Sequence, residues 1–143
     1  MVELSLWADF SHLAAVRDFV TQVGHDLGLD NHLVYDLQLA IDEACTNVIQ
    51  HAYGGRGGDL AIRIEAVAGG IRVIVRDWGQ AFDPGTVPLP DVTAPLDRRP
   101  LGGLGLFLIR QVMDQVDFWF NETDGNTLIM IKRLEGSNQW RLK

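Results

Sequence analysis

IDEACTNVIQHAYGG, residues 41–55, reads mostly as helix, yet it carries Asp42, Glu43, Thr46 and Asn47. Residues advance about 100° per position around a helix. Leu37, Ile41, Ala44, Cys45, Val48 and Ala52 therefore form an apolar stripe, and Asp36, Glu43, Asn47 and Gln50 fall on a second, polar line. Glu43 and Asn47 are neighbours one turn apart on that line. Small Ala40 and Ala44 separate it from the apolar stripe, which puts the pair at the edge of a core, within reach of a ligand. Two readings fit. One is a solvated polar face with an i,i+4 hydrogen bond of a few tenths of a kcal/mol. The other is a carboxylate that accepts a proton from an attacking hydroxyl or water, beside a carboxamide oxygen suited to a hard cation such as Mg²⁺, which usually arrives with substrate phosphates.

Outward from this stretch the pattern alternates between helix and strand. Asp30 or Asn31 opens the helix, and the glycine-rich break at residues 54–58 ends it. Before it, Ser11 is placed to cap a helix running to about Leu27, with Leu13, Val16, Val20, Val23 and Leu27 as its stripe and Gly24 as a weak point. Residues 3–8 alternate as a first strand. After the break, Leu60, Ile62 and Ile64 mark a strand, Ala68-Gly69-Gly70 a hairpin turn, and residues 71–75 the return strand. Residues 80–100 hold all five prolines, which disfavour regular structure. A glycine cluster then opens a third helix to about Asp114. Residues 116–120 and 127–133 form a last pair of strands about Asp124-Gly125, and the tail from Glu135 is expected to be loose. Strands joined by tight turns run antiparallel. The expected fold is α+β, a two-layer α/β sandwich with helices on one face of a mixed, mostly antiparallel sheet.

Composition narrows the function. The chain has 143 residues, 47% of them hydrophobic, enough for one domain with a real core. Its net charge of −7, with no basic cluster beyond Arg98-Arg99 and Lys132-Arg133, argues against a nucleic-acid partner. No apolar run reaches membrane-span length, and the start resembles no signal peptide. Cys45 is the single cysteine and falls in the apolar stripe, so it reads as a small buried residue. A reducing, cytoplasmic setting is expected.

Two further stretches carry chemistry. In VRDWGQAFDP, residues 75–84, Asp77 ends an apolar strand, where a carboxylate can accept a hydrogen bond from an exocyclic amine such as that of adenine. Gly79 removes a Cβ beside it, so a ring can approach the backbone. The plain alternative is a strand-ending turn. In RRPLGGLGLFLIRQV, residues 98–112, glycines ahead of a helix let backbone N–H groups converge on an anion. The Lys-Ser/Thr of a Walker A loop is missing, and the spacing is wrong for a dinucleotide fingerprint.

The three pieces occur in one order: E-x-x-x-N on a helix, D-x-G-x-A-F-D after a strand, a Pro-rich loop, then G-G-L-G-L ahead of a helix. This resembles the GHKL nucleotide-binding superfamily, the Bergerat fold shared with histidine kinases and gyrase B. Within it, DEACTNVIQHAY, RDWGQAFDP and GGLGLFLIRQVMDQVDF look most like the small anti-sigma factor serine/threonine kinases. The resemblance covers about residues 4–134 of a single domain, 1–143. It implies ATP and Mg²⁺ as cofactors, with Asn47 ligating Mg²⁺ and Glu43 as the catalytic base. Asp77 would read the adenine amine, Gly79 would open the purine pocket, and Ala81, where relatives often have Gly, Phe82 and Asp83 would complete that box. Gly102, Gly103, Leu104 and Gly105 would line the phosphates. Residues 80–101 would form an ATP lid whose Arg98 and Arg99 reach phosphate or stay solvated. His51, one turn after Asn47, is either a contact behind the site or an end-of-helix residue. Trp78 either flanks the nucleotide or covers the sheet edge. Arg17 matches, by helix register, an arginine on the relatives' protein-binding face.

The resemblance further implies phosphoryl transfer from ATP to a serine of a STAS-type anti-anti-sigma protein, sequestration of a sigma factor or similar regulator, and homodimers. A non-catalytic ATP-binding module acting by sequestration is the main alternative. A histidine-kinase catalytic domain fits less well, because His12, His25, His32 and His51 are scattered.

Overall fold

The computed structural model describes residues 1–81 and 103–134. Five strands form one sheet in the order β1-β2-β3-β5-β4: β1 (Val2–Trp7), β2 (Asp59–Val67), β3 (Gly70–Asp77), β4 (Gln115–Asn121) and β5 (Gly125–Arg133). All four pairings are antiparallel, so the described sheet contains no parallel pair. The helices are α1 (Leu13–Asp26), α2 (Asn31–Asn47) and α3 (Gly103–Val112). Among the described residues no helix is long and apolar enough to cross a membrane.

Alternation along the strands sends Ile62, Ile64, Val73, Val75 and Met130 into the layer shared with the helices, where all are buried. From α1 come Val16, Val20 and Val23; from α2 come Leu37, Ala40, Ile41, Ala44 and Cys45. Full burial of a Leu or Ile contributes about 1.5–3 kcal/mol, so this one layer dominates the fold. Gly24 lets α1 pack tightly on α2: a Cβ there would stand 2.5 Å from Val34 Cγ2.

Three local details depart from the sequence pattern. Asp9, not Ser11, supplies the first cap: its side chain accepts from Ser11 N, and a 3₁₀ turn at Phe10–His12 precedes α1. Two cap-forming residues lie two positions apart there, and Asp9 has the extended backbone of a cap, at φ −150° and ψ 143°. Asp30 caps α2 through Leu33 N at 2.8 Å. The second helix does not run on to Tyr53 as regular α-helix. It passes into a π-helical turn at Val48–Ala52, closed by Tyr53 N donating to Val48 O at 3.0 Å.

Asp36 is the third departure. The helical wheel puts it on the line of Glu43, yet it is buried. Lys132 Nζ on β5 lies 3.1 Å from its Oδ2 and also donates to Val112 O, the end of α3, at 2.6 Å. This ion pair ties α2, α3 and β5 together, away from the ligand-facing groups.

Candidate active site

Helix α2 presents Glu43 and Asn47 on one face, both half-buried. The start of α3 crosses directly over them. A Cβ on Gly105 would stand 3.0 Å from Glu43 Oε2 and 3.3 Å from Asn47 Oδ1, so a bare backbone lies against both oxygens. The first-turn N–H groups of any α-helix lack intrahelical acceptors. Here those of Gly103 to Leu106 stand at the end of α3 nearest the carboxylate and the carboxamide. Burial, and secondly the charge of Asp42, raises the proton affinity of Glu43 above that of an ordinary carboxyl, which suits a group that must take up a proton.

Among the described residues no cluster of three or more His, Cys, Asp or Glu could cage a metal. A neutral Asn47 oxygen beside one carboxylate, facing a glycine-lined helix start, fits Mg²⁺, which binds through few protein ligands and keeps waters and phosphates.

The second half of the site is a corner at the end of β3. Asp77 is only 4% exposed. Its Oδ1 accepts from Gly79 N and from Asn126 Nδ2, each at 2.9 Å. Burial raises its proton affinity, and those two hydrogen bonds partly oppose the rise. Asn126 also donates to Gln80 O at 2.9 Å, so one carboxamide holds both the Asp77 carboxylate and the backbone beyond it.

This corner joins the helix through the π turn. Gln80 N donates to Ala52 O at 2.7 Å. A Cβ on Gly79 would run into that same carbonyl, so a packing need fixes glycine here, alongside any approach of a ring. Tyr53 Oη accepts from Trp78 N at 2.9 Å and donates to Asp59 O at 2.6 Å. The widened turn thus carries the chain from Asn47 to the Asp77 corner within six residues.

The structure brings together Glu43, Asn47 and Gly105 on one side, and Asp77 and Gly79 on the other, linked by residues 48–53. Gly103 and Leu104 lie in the first turn of α3. Ala81 is exposed at the end of the described segment. Phe82, Asp83, Gly102, Arg98, Arg99 and most of the stretch 80–101 lie outside the described residues. Trp78 sits under the Arg76 guanidinium, 5.4 Å from the ring centroid, and lines a hollow with Ser5 and Ala61 on the sheet's helix-free side. That places it over the sheet. His51 lies on the π turn with Nε2 buried and without a partner among the described residues.

Arg17 is apart from these groups. On α1, its Nε and Nη2 reach Asp42 Oδ2 at 3.0 and 2.9 Å, while half its side chain stays exposed.

Sequence reasoning passed over Asn126 and Tyr53. Asn126 stands opposite Asp77 only through the β3–β5 register, a pairing of strands that no hairpin joins, so no sequence signal placed it there. For Tyr53 no sequence signal distinguishes a bridging phenol from a helix-end aromatic.

Comparison with known proteins gives a consistent picture. Residues 6–132 match the model of the histidine kinase-like ATPase domain. Over 138 residues the chain is 30% identical to the serine-protein kinase RsbW of Bacillus thuringiensis and 31% to that of Bacillus anthracis. Each match covers 94% of this chain and 85% of the relative. Among solved structures, the RsbU and RsbW domains of Rv1364c from Mycobacterium tuberculosis share the fold, with a TM-score of 0.62 at 20% identity. That match spans 94% of this chain and 33% of the other.

Proposed function

The chain belongs to the histidine kinase-like ATPase domain family, and from that premise we propose that it is an ATP-binding serine/threonine-protein kinase of the anti-sigma-factor type. The observation that carries the reading is the backbone of Gly105 laid against Glu43 Oε2 and Asn47 Oδ1. It brings a carboxylate, a carboxamide oxygen and a glycine-lined helix start to one point, which supports this reading.

In this reading Asp77 accepts from the adenine amine, held by Asn126 and Gly79. The phosphates run toward the start of α3, where residues 102–105 line them. Asn47 would hold Mg²⁺, which would offset the charge of the phosphates. Glu43 takes the proton from a serine hydroxyl as its oxygen bonds to the γ-phosphorus. The bond from that phosphorus to the β–γ bridging oxygen breaks, and ADP leaves. Positioning and charge stabilisation supply most of such a rate enhancement, so a domain of this size suffices.

The serine belongs, on this proposal, to a STAS-type anti-anti-sigma protein, and the same chain holds a sigma factor or similar regulator inactive. Arg17, on α1 and half-exposed, offers a cation to either partner, and the protein works in the cytoplasm as a homodimer with residues 80–101 as an ATP lid.

The test is label transfer from γ-labelled ATP with Mg²⁺ to a STAS-type protein encoded nearby. Glu43→Ala and Asp77→Asn run beside the wild type. Transfer lost in both, with ATP binding kept in Glu43→Ala, supports the kinase. ATP-dependent complex formation without transfer would replace it with a sequestering module.

A further inference from the structure

Strand β3 ends on an irregular rung. Leu60 and Asp77 are direct partners, so the next pair along this antiparallel ladder is Asp59 and Trp78. Their backbone groups do not meet. Trp78 N–H donates to Tyr53 Oη at 2.9 Å, and that hydroxyl donates to Asp59 O at 2.6 Å. A phenol is interposed where a backbone bond would close the rung. Its ring has a made seat, because a Cβ on Gly58 would collide with Cε1 and Cζ of Tyr53. Beyond this rung the chain has left the sheet: Gly79 packs on the Ala52 backbone, and Gln80 N bonds Ala52 O at 2.7 Å. The adjacent residues Ala52 and Tyr53 thus hold the Asp77 corner from two sides.

We infer that the Tyr53 hydroxyl is a positioning residue for base recognition. By spacing the ladder at Trp78 it sets where the Asp77 carboxylate stands, and so its preference for a purine bearing an exocyclic amine over one bearing a carbonyl. The inference rests on Asp77 reading the base. Without the hydroxyl, Trp78 N–H and Asp59 C=O either close on each other or stay unpaired, and either result displaces the segment between Asp77 and Gly79. Asn126 holds the far side of Asp77 and does not replace this spacing.

The experiment is Tyr53→Phe, which keeps the ring and removes one oxygen. Affinities for ATP and inosine triphosphate, which carries a carbonyl at the position of the amine, are measured by calorimetry, with thermal unfolding and the kcat of transfer alongside. In the wild type ATP is expected to be preferred clearly over inosine triphosphate, because a buried polar group would otherwise be left unmatched. Tyr53→Phe is expected to cut that preference about tenfold, chiefly through weaker ATP binding, with kcat at saturating ATP nearly unchanged. An unchanged preference, even with a lower melting temperature, would make the phenol merely structural and overturn the inference. Asp77→Asn separates the two ideas. A preference that survives Asp77→Asn, or is absent from the wild type, removes the Asp77 reading and this inference together. A preference that needs Asp77 but not Tyr53 removes this inference alone.

Discussion

Asn126 on β5 donates its carboxamide to Oδ1 of Asp77 on β3 at 2.9 Å, across a pair the sheet sets directly opposite. Both residues are buried. Removing one partner of a buried hydrogen bond to a charged group costs about 1.5–3 kcal/mol. Asn126→Leu is therefore expected to weaken ATP binding about tenfold or more by titration calorimetry and to lower the melting temperature. Wild-type affinity in that variant would mean Asp77 is held by Gly79 alone.

Burial leaves Asp77 with a raised pKa despite its two donors. The native state then keeps a proton over a range where the unfolded chain has lost it. The associated stability is full below the ordinary carboxyl pKa of about 3.9 and is lost as pH rises through the native value. At neutral pH the ionised, buried group is a standing cost. Asp77→Asn keeps an oxygen for Gly79 N and removes the charge. Its melting temperature at pH 7 is expected to equal or exceed the wild type's. The gap should close as pH falls into the carboxylate range, while ATP binding is lost. A gap that widens on acidification would contradict this sign.

Glu43→Gln preserves the shape beneath Gly105 and removes the base. The expected result is a fall in kcat of about 10²–10⁴. ATP affinity should stay within about threefold, because the interaction lost belongs to the transition state. Single-turnover transfer and equilibrium binding on the same sample separate the two effects. Equal losses in both would assign Glu43 to binding.

Gly105→Ala sets stability against function. In the first turn of a helix alanine is favoured over glycine by less than the ~1 kcal/mol of an interior position. The added methyl would crowd Glu43 Oε2 at 3.0 Å and Asn47 Oδ1 at 3.3 Å. The variant is expected to melt no lower than the wild type and to bind Mg²⁺–ATP more weakly. Unimpaired binding would show that the Gly105 backbone takes no part in holding the phosphates.

Much of this was legible beforehand. Helical spacing placed Glu43 and Asn47 together, and strand alternation with the Asp124-Gly125 turn gave the β4–β5 hairpin. What escaped depends on partners distant in sequence. Asp36 looks solvated on a helical wheel because Lys132, 96 positions later, does not appear on it. Asn126 became a site residue through register, not type. Gly79 reads as room for a ring, and the nearby Ala52 carbonyl gives glycine a second, packing reason there. The π turn follows from hydrogen bonds one residue longer than usual, which residues 48–52, apolar but for Gln50 and His51, do not advertise.

That turn makes spacing itself a specification. Inserting one further residue into Val48–Ala52 would leave the widened turn one residue too long and swing Tyr53 by about 100° around the axis. The Ala52 carbonyl would leave Gln80, and the phenol would leave the β2–β3 rung. Side chains in this segment can be exchanged one at a time without revealing this, because what they share is the number of peptide units between Asn47 and the two groups, Ala52 O and Tyr53 Oη, that reach the end of β3. The two halves of the candidate site are thus kept in phase by chain length, a property that an insertion exposes and a substitution scan leaves hidden.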